Sequence, residues 1–121
     1  MTFAKGVRGY ATVMGVRPEQ AAEELQAAGA DIVGSNCGHG VEEMIEAIAL
    51  MAPATDLPLW AKPNAGMPKL VNGRTVFDET PEEMVAHFEA LVEAGARVIG
   101  GCCGTTPDHI RALVEARDAM A

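Results

Sequence analysis

A chain of 121 residues, 49% of them apolar, is long enough to bury one ordered domain of ordinary size. Seventeen acidic residues against nine basic ones leave a formal charge of -8 with no Lys/Arg cluster, which excludes a phosphate-tracking surface and hence a nucleic-acid partner. Apolar runs of about five to seven residues fall far short of the roughly 20 a membrane helix needs, and no charged-then-apolar leader opens the chain, so a cytoplasmic protein without a membrane partner is expected.

Residues 1–15, "MTFAKGVRGYATVMG", contain no full strand and read as a polar-rich loop. A helix follows over residues 18–28, with Pro18 suited to its first position and Gly29 to its C′ position. The run "DIVGS" (31–35) reads as a strand, and Val41, Met44, Ile45, Ile48 and Met51 recur at helical spacing over residues 41–52. "LPLWAKPNAG" (57–66) supplies the next strand and its loop. Residues 64–80 are the one long connection, where Asn72-Gly73 predicts a tight turn in a small hairpin-like flap. Lys62, Lys69 and Arg74 are expected as solvated loop charges. Thr80, Pro81 and Glu83 write a capping box ahead of a helix over 81–94, with Met84, Val85, Phe88, Leu91 and Val92 as its buried stripe. "RVIGG" (97–101) is the third strand, and the last helix opens at Thr106-Pro107 with Ile110, Leu113 and Val114 on one face.

Helices and strands thus alternate with short connections, and the strand runs lack apolar alternation, the pattern of a parallel α/β sheet covered on both faces. An internal echo supports one plan for two of the units. "AGADIVGSNCG" (28–38) and "AGARVIGGCCG" (94–104) share the frame AGAxxxGxxCG at an offset of 66 residues, about twice one βα unit.

The chain has three cysteines, an odd number that does not suit a secreted disulfide framework. Cys37 and the pair Cys102-Cys103 each fall just past an apolar run, at the carboxyl end of a strand, where parallel α/β proteins assemble their sites. Neighbours in a regular strand face opposite ways, so Cys102 and Cys103 share a ligand only where the backbone leaves strand geometry. The flanking Gly100, Gly101 and Gly104 permit that. The candidate is a single metal ion held by Cys37, Cys102 and Cys103: soft thiolates suit zinc, and three protein ligands with a fourth position open describe a catalytic centre. Two plainer readings stand beside it, buried cysteines acting as small hydrophobes and a strained vicinal disulfide between Cys102 and Cys103. His39 and His109 follow the cysteine turns and are expected at solvent-exposed helix starts rather than as ligands; His87 is expected on a helix surface.

Taken together, "GADIVGSNCG", "LPLWAKPNAGMP" and "GARVIGGCCGTTPDHI" resemble the C-terminal half of the zinc-dependent homocysteine S-methyltransferases, including the homocysteine-binding module of the cobalamin-dependent methionine synthases, over essentially the whole chain. The resemblance implies that Cys37, Cys102 and Cys103 hold Zn2+. It implies too that Asn64 takes the fourth zinc position when substrate is absent and lies against bound substrate; a turn residue after Pro63 is the alternative for Asn64. Homocysteine's sulfur would bind zinc as a thiolate and accept a methyl group to give methionine. Relatives use methylcobalamin, betaine or S-methylmethionine as donor, and the match of "KPNAGMPKLVNGRTVFDET" (62–80) points toward cobalamin or methyl-folate, carried on another domain or protein. The implied fold is a partial TIM barrel, the last three to four βα units of an eight-fold parallel (β/α) barrel, with residues 1–121 as one domain.

Acidic residues that hold the substrate's amino group would lie in the first half of such a barrel. A partner is therefore expected, either a second copy forming a homo-oligomer or a separate N-terminal half-barrel, with a truncated piece of a longer protein as the equal alternative. The alternative function is a non-catalytic zinc-binding or assembly module derived from the same barrel and inactive without a partner half. A different parallel α/β enzyme with merely buried cysteines is a third.

Overall fold

The computed structural model describes residues 1–120. Its chain opens with an antiparallel hairpin, β1 (Ala4–Gly6) and β2 (Gly9–Ala11), where the sequence predicted a loop. The strands are only three residues each, too short for a periodicity signal. What holds them is tertiary: Phe3 and Tyr10 are buried, and the Tyr10 hydroxyl donates to Glu46, 36 residues away. That contact and burial push the Tyr10 phenol well above its usual range, burial contributing most.

The units that follow are α1 (Pro18–Ala27), β3 (Val33–Cys37), α2 (Val41–Met51) with a 3-10 turn at Ala52–Ala54, and β4 (Leu59–Pro63). A second hairpin, β5 (Lys69–Val71) and β6 (Arg74–Val76), lies in the predicted long connection, and its turn residues Asn72 and Gly73 both have positive φ, +50° and +77°. Then come α3 (Pro81–Val85), α4 (Phe88–Ala94), β7 (Ala96–Ile99) and α5 (Pro107–Met120). The strands β3, β4 and β7 form a parallel sheet with β4 in the middle. This is a mixed α/β fold with βα units in chain order.

The capping box is present, Thr80 Oγ1 accepting from the Glu83 N–H and the Glu83 carboxylate accepting from the Thr80 N–H. The single helix predicted over 81–94 is instead two. At His87 the backbone (φ -100°, ψ 5°) donates to Met84 three residues back, tightening the turn, and α4 begins anew at Phe88. The break lets α3 pack on α5 while α4 packs on α2 and β7. A straight helix serves only one of those surfaces.

Cover on both sheet faces was also expected, and only one face has it. Val33, Ser35, Leu59, Ala61 and Ala96 are buried under α1, α2 and α4, whereas on the opposite face Trp60 is 41% exposed. Ile48 and Met51 of α2 sit at the centre of the covered side with no exposure. Trimming one methylene there, Ile48→Val, is expected to lower stability by about 1 kcal/mol, read as a shifted urea midpoint at unchanged slope.

Candidate metal centre

The parallel register sets Cys37 opposite Pro63, and so brings the end of β3 beside the "KPNAG" turn. Cys37 itself has a φ of +63°, a left-handed conformation that costs a non-glycine residue roughly 1–2 kcal/mol. The strain falls at the residue whose sulfur must leave the strand's two-sided alternation. Gly38 continues the left-handed turn with a φ of +75°.

On the other side β7 ends at Ile99, but its bonding to β4 continues: Gly100 donates to Ala61, Cys102 to Pro63, and Ala65 to the Cys103 carbonyl. The chain then turns back, the Thr105 N–H and hydroxyl both donating to the Cys102 carbonyl at 3.2 and 2.7 Å. Gly104 has a φ of +80°, and a Cβ there would stand 2.2 Å from that of Phe77. The residue after β6 thus packs directly on the cysteine turn, which ties the 64–80 connection to the site.

These turns bring three distant sulfurs together. Cys37 Sγ lies 2.9 Å from Cys102 Sγ, Cys102 Sγ lies 4.0 Å from Cys103 Sγ, and all three fall within 4.8 Å of one another. No disulfide joins them, so the vicinal bridge is not formed. Sulfurs on one tetrahedral zinc stand about 3.8 Å apart, given bonds of about 2.3 Å, and the two closest separations here bracket that value. The set therefore fits a thiophilic ion. Among the described residues it is the one cluster of three or more such ligand groups.

The thiols are electrostatically unequal. Contact with Cys102 and then burial push the Cys37 thiol up, partly opposed by the Asn36 amide, which donates to Cys37 Sγ at 3.3 Å. Cys102 is held down, first by the thiol of Cys37, then by the Cys103 backbone and side chain and the Lys62 ammonium. Cys102 is the readier thiolate of the pair.

Asn64 is buried and joins the two cysteine turns. Its Nδ2 donates to the Gly38 carbonyl at 2.9 Å, and its Oδ1 accepts the Cys103 N–H at 3.0 Å. Neither the turn reading nor the ligand reading anticipated that brace. Asn64→Ala is expected to destabilise even the metal-free chain by about 2 kcal/mol, because the Cys103 N–H loses its acceptor. A residue that only ligated metal would leave the metal-free denaturation midpoint where it is.

His39 is exposed and faces Glu43 at 3.3 Å, away from a ligand role. His109 departs from expectation: it is buried, accepting from the Thr106 N–H through Nδ1 while its Nε2 lies 2.8 Å from the Glu79 carbonyl. It anchors the start of α5 to the end of the long connection. His87 is partly exposed at the α3–α4 break, 3.9 Å from Glu42. The sequence reading passed over Asn36, whose place directly before Cys37 was its only signal, and treated Lys62 as a loop charge although it belongs to β4.

A family model described as "Homocysteine S-methyltransferase" matches residues 1–117. A methionine synthase of Mycobacterium leprae (strain TN) is 37% identical over 89 residues, covering 73% of this chain. That of Mycobacterium tuberculosis (strain ATCC 25618 / H37Rv) is 36% identical over 89 residues, again 73% of the chain. The chain spans 7% and 8% of the lengths of these two relatives. It belongs to the homocysteine S-methyltransferase family.

Proposed function

We propose that this member of the homocysteine S-methyltransferase family carries the thiol-activating part of a methionine-forming methyltransferase, with Cys37, Cys102 and Cys103 holding Zn2+. The observation that carries the reading is the approach of three sulfurs, 65 residues apart in sequence at their first contact, to within 4.8 Å. Zinc held there would favour the thiolate of an incoming homocysteine at neutral pH.

The chain's own groups have separate tasks in this reading. Cys37, Cys102 and Cys103 would hold the ion as thiolates, and their charge would keep a substrate sulfur bound there nucleophilic. The Asn36 amide spreads charge from Cys37, and Asn64 holds the two cysteine turns at a fixed spacing. Homocysteine releases its thiol proton, its sulfur gains the methyl carbon, and the donor's bond to that carbon breaks. Cobalamin or methyl-folate on another domain or protein is the proposed donor.

We place the chain as the last three to four units of a (β/α)8 barrel, with the segment 64–80 as a flap. Its three-stranded sheet leaves the Trp60 face uncovered and the far edges of β3 and β7 without a further full strand among the described residues, which suits closure by an N-terminal half-barrel or a second copy. A cytoplasmic setting is part of the proposal; no described helix is long and apolar enough to cross a membrane. The test is metal content of the purified chain, followed by homocysteine methylation from methylcobalamin, with the chain alone and paired with a first-half barrel. Zinc at about one per chain with turnover on pairing supports the enzyme. Zinc without turnover in any pairing supports a non-catalytic binding module, and absence of zinc ends both readings.

A further inference from the structure

Lys62 is the one Lys or Arg lining the cavity on the open face of the sheet, where the Met1 ammonium donates to the Gly34 carbonyl at 3.1 Å. It lies opposite Asn36 in the β3–β4 register, and its Cγ lies 3.8 Å from where a Cβ on Gly100 would stand, so its stem reaches from β4 toward the end of β7. The Nζ is 5.6 Å from the Trp60 ring centre, and Trp60 Nε1 sits 3.5 Å from the same Gly100 position.

In a chain of charge -8, Lys5, Arg17, Lys69, Arg111 and Arg117 each pair with a carboxylate. Lys62 pairs with none among the described residues, although it is half-buried. A cation held over an aromatic face beside the site, without a protein anion, is a ready receptor for a ligand anion. A cavity of about 160 Å³ lies at this place, lined in part by Gly34, Asn36, Trp60 and Lys62. Asn36 links it to the cysteines, because its amide touches Cys37 Sγ.

Resting on the reading of the cysteines as a metal centre for homocysteine, we infer that Lys62 receives the substrate's α-carboxylate in this cavity while the substrate's sulfur reaches the cysteine cluster. Lys62 thereby selects amino-acid thiols over thiols that lack a carboxylate. The task is separate from metal binding, which rests on the three sulfurs, the Lys62 ammonium being the last of the influences on Cys102.

The test loads the wild-type chain and Lys62→Met with Co2+ and follows the sulfur-to-cobalt absorption on titration with L-homocysteine and with 3-aminopropane-1-thiol, which lacks only the carboxylate. Methionine keeps an apolar stem over Trp60. Wild type is expected to prefer homocysteine by roughly 10–100-fold, the worth of a charge-assisted hydrogen bond. Lys62→Met should bring the preference to about one at unchanged cobalt stoichiometry, and Lys62→Arg should keep most of it. A preference that survives in Lys62→Met, with cobalt and both thiols still bound, overturns the role of Lys62 and leaves the metal centre standing. Failure of the wild type to take up cobalt, or to change its spectrum with either thiol, overturns the metal reading and this inference with it.

Discussion

On the proposed zinc reading, Cys102→Ala is expected to take metal content from about one zinc per chain to near zero and to abolish the proposed methylation of homocysteine. Cys102 is 2.9 Å from Cys37 and 4.0 Å from Cys103, so its removal takes the sulfur in contact with both others and leaves two thiols within 4.8 Å as the whole ligand set. Its thiol is also held down in pKa, chiefly by the Cys37 contact, and so offers a thiolate more readily than Cys37. Removing an outer partner of a metal typically lowers affinity roughly 10–100-fold, and loss of a direct ligand should exceed that. Folding should survive, because Cys102 is only half-buried and lies beyond the end of β7. The measurement is metal content beside the metal-free denaturation midpoint. Unchanged zinc in the variant contradicts the assignment; lost zinc with an unchanged midpoint supports it.

The parts of this molecule that were legible in its sequence are those fixed by near neighbours. Thr80 and Glu83 cap a helix through contacts three residues apart, and Asn72-Gly73 turns a hairpin by its own backbone preferences. Convergence of the sulfurs could be anticipated because the repeated frame puts Cys37 and Cys103 at equivalent strand ends of a parallel sheet. Features set by distant partners could not. The first hairpin depends on Tyr10 meeting Glu46, the break at His87 on two different helices needing cover, and the burial of His109 on the Glu79 carbonyl. Lys62 was misplaced for a related reason: its neighbours in "AKPN" resemble a loop, while the register that makes it part of β4 is supplied by β3 and β7. The bare Trp60 face has no local signal either, since a run suited to burial on both faces reads the same whichever layers are present.

Gly34→Ala should be more damaging than its single added carbon suggests. A Cβ on Gly34 would stand 2.0 Å from the Trp60 carbonyl oxygen and within 2.9 Å of the Trp60 nitrogen and carbonyl carbon. All three are backbone atoms of the paired strand, so no side chain can swing aside, and β3 must move away from β4. Gly34 and Cys37 lie on the same five-residue strand, and the ladder that pairs Gly34 with Trp60 also pairs Cys37 with Pro63. Displacing one end therefore disturbs the position of the sulfur at the other. The expected loss exceeds the roughly 1–3 kcal/mol of ordinary overpacking, and metal uptake should fall with it. Gly73→Ala is the control: that glycine has a φ of +77° but nothing within 4 Å of the added carbon, so only the backbone penalty of about 1–2 kcal/mol applies. Denaturation midpoints and zinc content of the two variants separate the cases. Equal stability for the two, with zinc retained in Gly34→Ala, would mean that β3 does not pair with β4 in this register and that the sulfurs are brought together by some other path of the chain.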